Sequence, residues 1–349
     1  MNATTVAVDL AKNVFEVALA DDAWRIRERH RLSRGKFARF FANRARCRIV
    51  MEACGSAHHW ARTLSAQGHD PLLLPAQYVR AYVKRNKTDR ADASALIEAV
   101  RSSEIRPVPV KSIEQQLIQQ LHRLRSQWMR TRTARINGLR GILREFGIVI
   151  ARGAQRGLAE IRAALADNAL PDALRPAVAE LLTEIDALER RSASIEQQLR
   201  ELTREDPIVQ VLMRIPGIGL LTATALRATI VDVQRFPSGR HLASYLGLTA
   251  REYSSGERRR LGRISKRGDV YLRTLLIHGA RAVLNAALRV ARTGRPLDRL
   301  RTWAIATEQR CGYNKATVAL ANKLARIAWA TWKYQRAFDG NRAIRARAA

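Results

Sequence analysis

Four carboxylates in this sequence have the residue types and the spacing to bind a divalent cation. Asp9 closes the first apolar run, "TTVAVD", and Glu52 closes a later one, "RIVME". Asp89 and Asp92 lie three residues apart in the basic stretch "KRNKTDRADASAL". If this stretch is helical from Thr88 onward, the two aspartates share one helix face, about one turn apart. The pair is then either half of a cation site or an ordinary acidic helix start capped by Thr88 or Asp89.

The elements that must position these carboxylates follow an α/β pattern. Two β-rich runs are joined by a turn near Lys12 and Asn13, and "WRIRERHRL" has the character of a third strand. Helical "RGKFARFFANR" and "AHHWARTLSAQG" alternate with the strands "RCRIVMEACG" and "DPLLLPA". This order predicts a mixed sheet covered by helices. Side chains at strand ends emerge where sites are built, so the four carboxylates could converge there and bind Mg²⁺ for phosphoryl transfer.

The charge of the chain points to a polyanionic partner. There are 62 Lys and Arg residues against 31 Asp and Glu, a net charge of +31 in 349 residues. Nucleic acid is the polyanion that offsets such a surplus. An acidic pocket in a basic protein suits an enzyme that cuts nucleic acid, and the alternative is a protein that only coats it. No cysteine spacing indicates zinc or a disulfide, and no run has the length or flanks of a membrane span or signal peptide, which predicts a cytoplasmic protein.

From residue 112 onward the pattern becomes helical. "IEQQLIQQLHRLRSQWMRTRTARINGLRGILREFG" predicts a long helix, and Arg132, Arg135 and Arg140 on it are candidate nucleic-acid contacts. Apolar residues from Leu174 to Leu202 then follow a coiled-coil spacing, which either closes a hairpin within the chain or joins subunits. After Asp206-Pro207 a helical domain, broken near Pro296, runs to a basic tail beyond Asn341 that we expect to fray. The expected domains are residues 1–111, 112–206 and 207–349.

A glycine turn in "RIPGIGLLTATALRATI" could bind phosphate. Gly217 and Gly219 flank Ile218 in a turn that leads into a helix beginning near Leu220. Exposed amides at a helix N-terminus bind phosphate, and the pattern resembles the hairpin of a helix-hairpin-helix motif. An ordinary turn between helices is the alternative, and the basic context favours phosphate contact.

A pair of serines lies in a loop rich in arginine and lysine. Ser254 and Ser255 precede Gly256, so a hydroxyl could be presented to a phosphate. From the sequence alone, a binding loop whose serines only form the turn is favoured. The basic residues of this loop that are candidate nucleic-acid contacts are Arg258, Arg259, Arg260, Arg263, Lys266 and Arg267.

These segments together resemble the insertion-sequence one-ten family of transposases, the DEDD recombinases related to Piv-type DNA invertases. The first matching runs are "VAVDLAKNVFEVAL" and "VMEACGSAHHWARTLSAQGHDPLLLPAQYVRAYVKRNKTDRADASAL". The second are "IPGIGLLTATAL" and "FPSGRHLASYLGLTAREYSSGERRRLGRISKRGDVYLRTLLIHGA". The match covers both ends of the chain and leaves mainly the central helices as variable material.

The resemblance implies a RuvC-like, RNase H-like N-terminal domain in which Asp9, Glu52, Asp89 and Asp92 bind Mg²⁺. It also implies a C-terminal serine nucleophile that forms a bond to a DNA phosphate. The matching residue is Ser255, and Ser254 is the alternative. The resemblance also implies a bacterial, nucleoid-associated dimer or tetramer joined through a coiled coil, and a non-coding bridge RNA that chooses donor and target DNA. The rival interpretations are a RuvC-like nuclease or junction resolvase in which water attacks, and a non-enzymatic nucleic-acid-binding protein.

Overall fold

The computed structural model describes residues 5–83, 88–167 and 169–340. The chain folds as two compact units, the first ending at Glu114 and the second beginning at Gln115. The basic tail from residue 341, and residues 84–87 ahead of the paired aspartates, lie outside the described residues. The second unit holds both the predicted long helices and the predicted C-terminal domain, and their separation at residue 206 remains a prediction.

The first unit is built on a five-stranded mixed sheet in the order β3-β2-β1-β4-β5. Its strands are β1 (Thr5–Leu10), β2 (Val14–Ala20), β3 (Ile26–Ser33), β4 (Arg48–Glu52) and β5 (Asp70–Leu74). Its helices are α1 (Arg34–Ala42), α2 (Ala57–Ala66), α3 (Ala76–Val79) and α4 (Asp89–Arg101), with a 3-10 turn at Arg80–Tyr82. β1, β2 and β3 are antiparallel neighbours, whereas β4 is parallel to both β1 and β5. The predicted α/β class and mixed sheet are confirmed.

Each face of this sheet buries a separate apolar core. Alternation along β1 and β4 sends Val8 and Met51 to one face, where they pack with Phe15 and with Phe37 and Trp60 of α1 and α2. The opposite face buries smaller side chains, among them Ala7 and Val50, against Ala95, Leu96, Ile97 and Ala99 of α4. Small residues on this face allow α4 to lie close to the strands, so its first turn is held beside the sheet.

The second unit begins with two long antiparallel helices. The helices of this part are α5 (Ile113–Glu145), α6 (Ala154–Ala166) and α7 (Arg175–Leu202). Ion pairs run in antiparallel order from Arg125 to Glu196 and from Arg132 to Glu189. Of the two alternatives for the coiled-coil stripe, the structure shows the hairpin within the chain, since its buried residues pack on α5 and α6.

The buried stripe of α7 differs from the predicted seam at two positions. Leu182 is buried and Leu181 only half-buried, because Leu158 and Ile161 of α6 also pack on this part of α7 and widen its apolar face. Leu202, the last residue of the helix, is 39% exposed.

A helical core and one β-hairpin make up the rest of the second unit. The helices are α8 (Pro207–Met213), α9 (Leu220–Ile230), α10 (Gly239–Tyr245), α11 (Val270–Arg292), α12 (Arg299–Cys311) and α13 (Tyr313–Tyr334). The predicted break near Pro296 is confirmed between α11 and α12. The prediction of a purely helical domain is wrong over residues 250–264, where β6 (Ala250–Glu252) pairs with β7 (Leu261–Ile264). No helix within the described residues is long and apolar enough to cross a membrane.

Candidate functional sites: a carboxylate edge and a serine hairpin

Asp9 and Glu52 lie at the same edge of the sheet and on the same face. Val8 is opposite Met51 on the parallel strands β1 and β4, so the next residues of each strand, Asp9 and Glu52, are also neighbours in register. Both follow by two positions a residue that packs against α4, namely Ala7 and Val50, and therefore face the same way. The sequence prediction that these two strand ends share one edge is confirmed.

Helix α4 adds the two aspartates to this face. Thr88 is the N-cap, and its hydroxyl accepts a hydrogen bond from the Ala91 amide at 3.2 Å. Asp89 and Asp92 lie in the first turn, where carboxylates are favourable with the helix dipole. Thr88, rather than Asp89, is thus the helix cap. Because the cap is a threonine, Asp89 and Asp92 can both favour the helix start and serve as ligands of a cation.

Arg29 of β3 fastens the start of α4 to the sheet. Its guanidinium donates to the Ser94 hydroxyl at 2.8 Å and to the Arg90 carbonyl at 3.3 Å. Burial, followed by the nearby charge of Arg90, lowers the pKa of Arg29. These bonds hold the turn that carries Asp89 and Asp92, and sequence reasoning missed them because β3 is 61 residues from Arg90.

Glu16 is a fifth carboxylate beside this group that sequence reasoning also missed. It is the cross-strand partner of Asp9 on β2, and both side chains are half-buried. Directly opposite residues of an antiparallel pair point to the same face of the sheet. The signal was present in the short turn between the two strands, which fixes their register.

The carboxylates share one edge without forming a closed metal site. Among the residues that the structure describes, no three His, Cys, Asp or Glu side chains are grouped closely enough to hold a metal ion. The expectation that the four carboxyl groups cluster within reach of shared ions is therefore not met in this arrangement. Their oxygen donors are nevertheless the ligands that Mg²⁺ prefers.

The serine pair lies at the tip of the β6–β7 hairpin. Ser255 and Arg258 exchange backbone hydrogen bonds across the turn, and Gly256 has φ +55°. A positive φ at the first central residue is what a two-residue hairpin turn of type II′ requires, and glycine supplies it without strain. Every residue from 250 to 263 is exposed, so this hairpin is an arm that projects from the helical core.

The two serine hydroxyls have different surroundings. The Ser254 hydroxyl donates to Glu252 at 2.7 Å and accepts from the Arg260 amide at 3.1 Å. It therefore bridges the two strands of the hairpin. The Ser255 hydroxyl has no hydrogen-bond partner within the described part of the chain and is open to solvent.

The base of the arm is tightly fixed to the core. A Cβ at Gly247 would collide with the Arg267 backbone, and a Cβ at Gly268 with the Tyr245 carbonyl, so both glycines permit a close crossing of the chain. Arg273 of α11 is buried and donates to the Leu246 carbonyl at 3.0 Å and to the Arg267 carbonyl at 3.2 Å. The arm thus presents its tip from a rigid base.

The predicted basic residues of the arm are available to a polyanion. Arg259 lies 3.7 Å from Glu252, and within the part of the chain that the structure describes no other residue of this set forms an ion pair. The exposed residues of this set are Arg258, Arg259, Arg260, Arg263, Lys266 and Arg267.

The predicted contacts on α5 are instead bonded to other parts of the chain. Arg132 and Arg135 donate to Glu189 and Glu184 of α7 at 2.7 and 2.6 Å. The Arg140 guanidinium donates to the carbonyls of Ala151 and Gly153. The contacts of Arg132 and Arg135 join α5 to α7, and those of Arg140 hold the segment that follows α5. Nucleic-acid binding by the three arginines remains a prediction.

The glycine turn combines a packing role with an open helix start. Gly217 has φ +83° and lies against the Gly279 backbone of α11, where any side chain on either glycine would clash. Gly219, the N-cap of α9, is exposed and has open space where a Cβ would be. Packing therefore explains Gly217, whereas phosphate binding at the α9 amides and the helix-hairpin-helix assignment remain predictions.

Comparison with known proteins identifies the family. Residues 6–148 match the DEDD transposase model of the IS110 group, and residues 209–293 match the model of the transposase IS116/IS110/IS902 family. A probable family 20 transposase of Pseudomonas aeruginosa is 43% identical over 95% of this chain and 97% of its own length. The transposases of insertion sequence elements IS1111A of Coxiella burnetii and IS1328 of Yersinia enterocolitica are 38% and 36% identical, over 93% and 94% of this chain and 88% and 96% of their own. This chain therefore belongs to the IS110 family of insertion-sequence transposases, a family of enzymes that recombine DNA.

Proposed function

We propose that this transposase moves its insertion sequence by cutting and rejoining DNA through a covalent phosphoserine intermediate. The observation that carries the proposal is the pairing of two features in one chain: a carboxylate edge and an exposed serine on a basic arm. The first can hold Mg²⁺, and the second can reach a phosphate. A nuclease that uses water needs only the first feature.

Asp9, Glu52, Asp89 and Asp92 are the residues that would hold Mg²⁺. Two adjacent strand ends and the first turn of α4 supply them to one face of the sheet. When bound, the ion neutralises charge on the phosphate and on the leaving oxygen. The strand order β3-β2-β1-β4-β5 and the helix on the carboxylate face support the RNase H-like assignment.

Ser255 is the proposed nucleophile, because its hydroxyl is exposed and unengaged while that of Ser254 bridges the hairpin. The Ser255 oxygen forms a bond to the phosphorus, the bond from phosphorus to the leaving DNA strand breaks, and the leaving oxygen takes a proton. A hydroxyl of the second DNA strand then attacks the phosphoserine and returns the serine hydroxyl. The number of phosphoester bonds is unchanged, so no ATP is required.

The exposed arginines of the arm hold the DNA backbone near the serine, since guanidinium groups bind phosphate oxygens in pairs. We propose that a non-coding bridge RNA selects donor and target DNA, and that dimers or tetramers assemble on them in the bacterial nucleoid. The family resemblance supports these partners. The coiled-coil stripe is buried within the chain, so self-association must use another surface.

Trapping the intermediate tests the proposal. The full chain is incubated with Mg²⁺, DNA carrying the transposon ends and the RNA transcribed beside the gene, then denatured and analysed for DNA that stays bound to protein. A covalent adduct that requires Mg²⁺ and is lost in Asp92→Asn supports the proposal. Cleaved DNA without any adduct supports the water-attack nuclease, and the absence of Mg²⁺-dependent cleavage supports a protein that only binds.

A further inference from the structure

The serine arm carries an exposed aromatic ring that the proposed chemistry does not use. Tyr253, two residues before Ser255, is 59% exposed, and Leu261 on the facing strand is 52% exposed. Together with Arg260 and Gly262 they line a shallow recess on the hairpin. Large apolar side chains so exposed beside arginines indicate a contact surface.

The ring of Tyr253 is held in one place by the facing strand. A Cβ at Gly262 would lie 3.0 Å from Cε2 of Tyr253, so the ring rests on the backbone where glycine leaves room. The Tyr253 amide donates to the Arg260 carbonyl at 2.9 Å, which fixes the start of the side chain. One face of the ring is thus against the hairpin while much of the ring is open to solvent.

Charge determines what can occupy this face. The hairpin from residue 250 to 264 carries five arginines and two glutamates, and the chain as a whole has a net charge of +31. A flat aromatic ring beside exposed arginines fits a nucleobase with its phosphate, because bases stack on aromatic rings while guanidinium groups bind the backbone. Bases offer their faces only where they are unpaired.

We propose that Tyr253 stacks on an unpaired base of the DNA strand whose phosphate the arm presents to Ser255. This inference rests on the proposed serine chemistry for the choice of DNA. Strand exchange leaves nucleotides beside the break unpaired. Tyr253 is only two residues from Ser255, so it can contact a base next to the phosphate that the serine attacks. The ring then prevents re-pairing and fixes the position of the neighbouring phosphate.

Binding measurements on an inactive full-length protein test the inference. In a Ser255→Ala background, dissociation constants are measured for a DNA duplex with a short single-stranded gap containing 2-aminopurine, for the fully paired duplex, and for single-stranded RNA of the gap sequence. We expect tighter binding to the gapped DNA and quenched 2-aminopurine fluorescence. Tyr253→Ala should weaken binding to the gapped DNA by roughly 5- to 150-fold, the range for loss of one base stack.

Three matched variants sharpen the result. Tyr253→Trp should retain gapped-DNA affinity and quenching, Gly262→Ala should reduce both by displacing the ring, and Leu261→Ala should change affinity less than Tyr253→Ala. Affinity for paired DNA should stay within about twofold in all of them, which also shows that the arm remains folded. Equal loss for paired and gapped DNA would overturn the inference, and loss confined to RNA would assign the ring to the guide instead. Because no cleavage is measured, a failure of the serine mechanism leaves this outcome unaffected.

Discussion

Lowering the pH should destabilise the second unit through His122. This residue of α5 is buried, and its ring nitrogens lie 2.9 Å from the Tyr271 hydroxyl of α11 and 2.9 Å from the Thr224 hydroxyl of α9. The Thr224 hydroxyl donates to the Leu220 carbonyl, so it accepts from His122, which places a proton on Nε2. Burial, followed by the charge of Arg125, lowers the pKa of His122 from 6.5 to about 4.

The direction and the size of the change in stability with pH follow from proton linkage. Between pH 6.5 and about 4 the unfolded chain binds a proton at this histidine that the native state does not, so stability is present above pH 6.5 and falls as the pH falls. The loss from His122 alone is about 2 kcal/mol at pH 5 and about 3 kcal/mol at pH 4. Arg125, whose charge acts on His122, forms an ion pair with Glu196 of α7.

The assay compares wild type with His122→Gln at pH 7.5 and pH 5. Urea unfolding is followed by hydrogen exchange of peptides from α5 and α11, which report the second unit by itself. The variant should be less stable at pH 7.5 by about 1–3 kcal/mol, yet lose about 2 kcal/mol less than wild type on acidification. His278→Gln, which changes an exposed histidine of α11, should behave as wild type. Equal pH dependence in His122→Gln and wild type would refute the reasoning.

Three other substitutions test the site and the fold. Asp92→Asn should abolish strand exchange while leaving DNA affinity within about threefold in a filter-binding assay, and loss of DNA binding would instead make the carboxylate structural. Arg29→Ala, which frees the start of α4, should raise the Mg²⁺ concentration for half-maximal exchange several-fold, whereas Arg48→Ala, at the opposite end of β4 from Glu52, should not; identical Mg²⁺ titrations would remove the positioning role. Leu188→Asp should cost at least about 3 kcal/mol in urea unfolding of the second unit because Leu188 is 4% exposed, and Leu202→Asp less than about 1 kcal/mol. If light scattering shows that Leu188→Asp only halves the mass with stability unchanged, the stripe joins subunits.

Local sequence patterns were sufficient to predict most helices and strands of the first unit. Apolar runs ending in Asp9 and Glu52 predicted β1 and β4, and a threonine followed by helix formers predicted the start of α4 at Thr88. Placing both strand ends at one edge required only the general rule that side chains at strand ends of an α/β sheet emerge where sites are built. Glu16 and Arg29 escaped because their roles depend on the register of β1 with β2 and on the packing of α4.

Long-range pairing explains what the sequence of the second unit did not reveal. The hairpin at residues 250–264 lacks the apolar alternation that predicts strands, since neither of its faces is buried. It forms instead from a glycine turn and a fixed base at Gly247, Gly268 and Arg273. In the sequence Arg132 likewise has no nearby partner that would indicate an ion pair, because Glu189 comes close to it only through the packing of α7 on α5.

The most direct test of the account is to identify the residue that carries DNA in the trapped adduct. The full chain is reacted with Mg²⁺, guide RNA and donor DNA, digested with protease and nuclease, and the peptide spanning residues 251–258 is sequenced by tandem mass spectrometry. We expect a phosphonucleotide on Ser255, no adduct in Ser255→Ala, and a reduced but detectable adduct in Ser254→Ala, whose hairpin loses its bridge to Glu252. An adduct on Ser254 would exchange the roles of the two serines. Recombination that persists when both serines are replaced by alanine would contradict the phosphoserine mechanism itself.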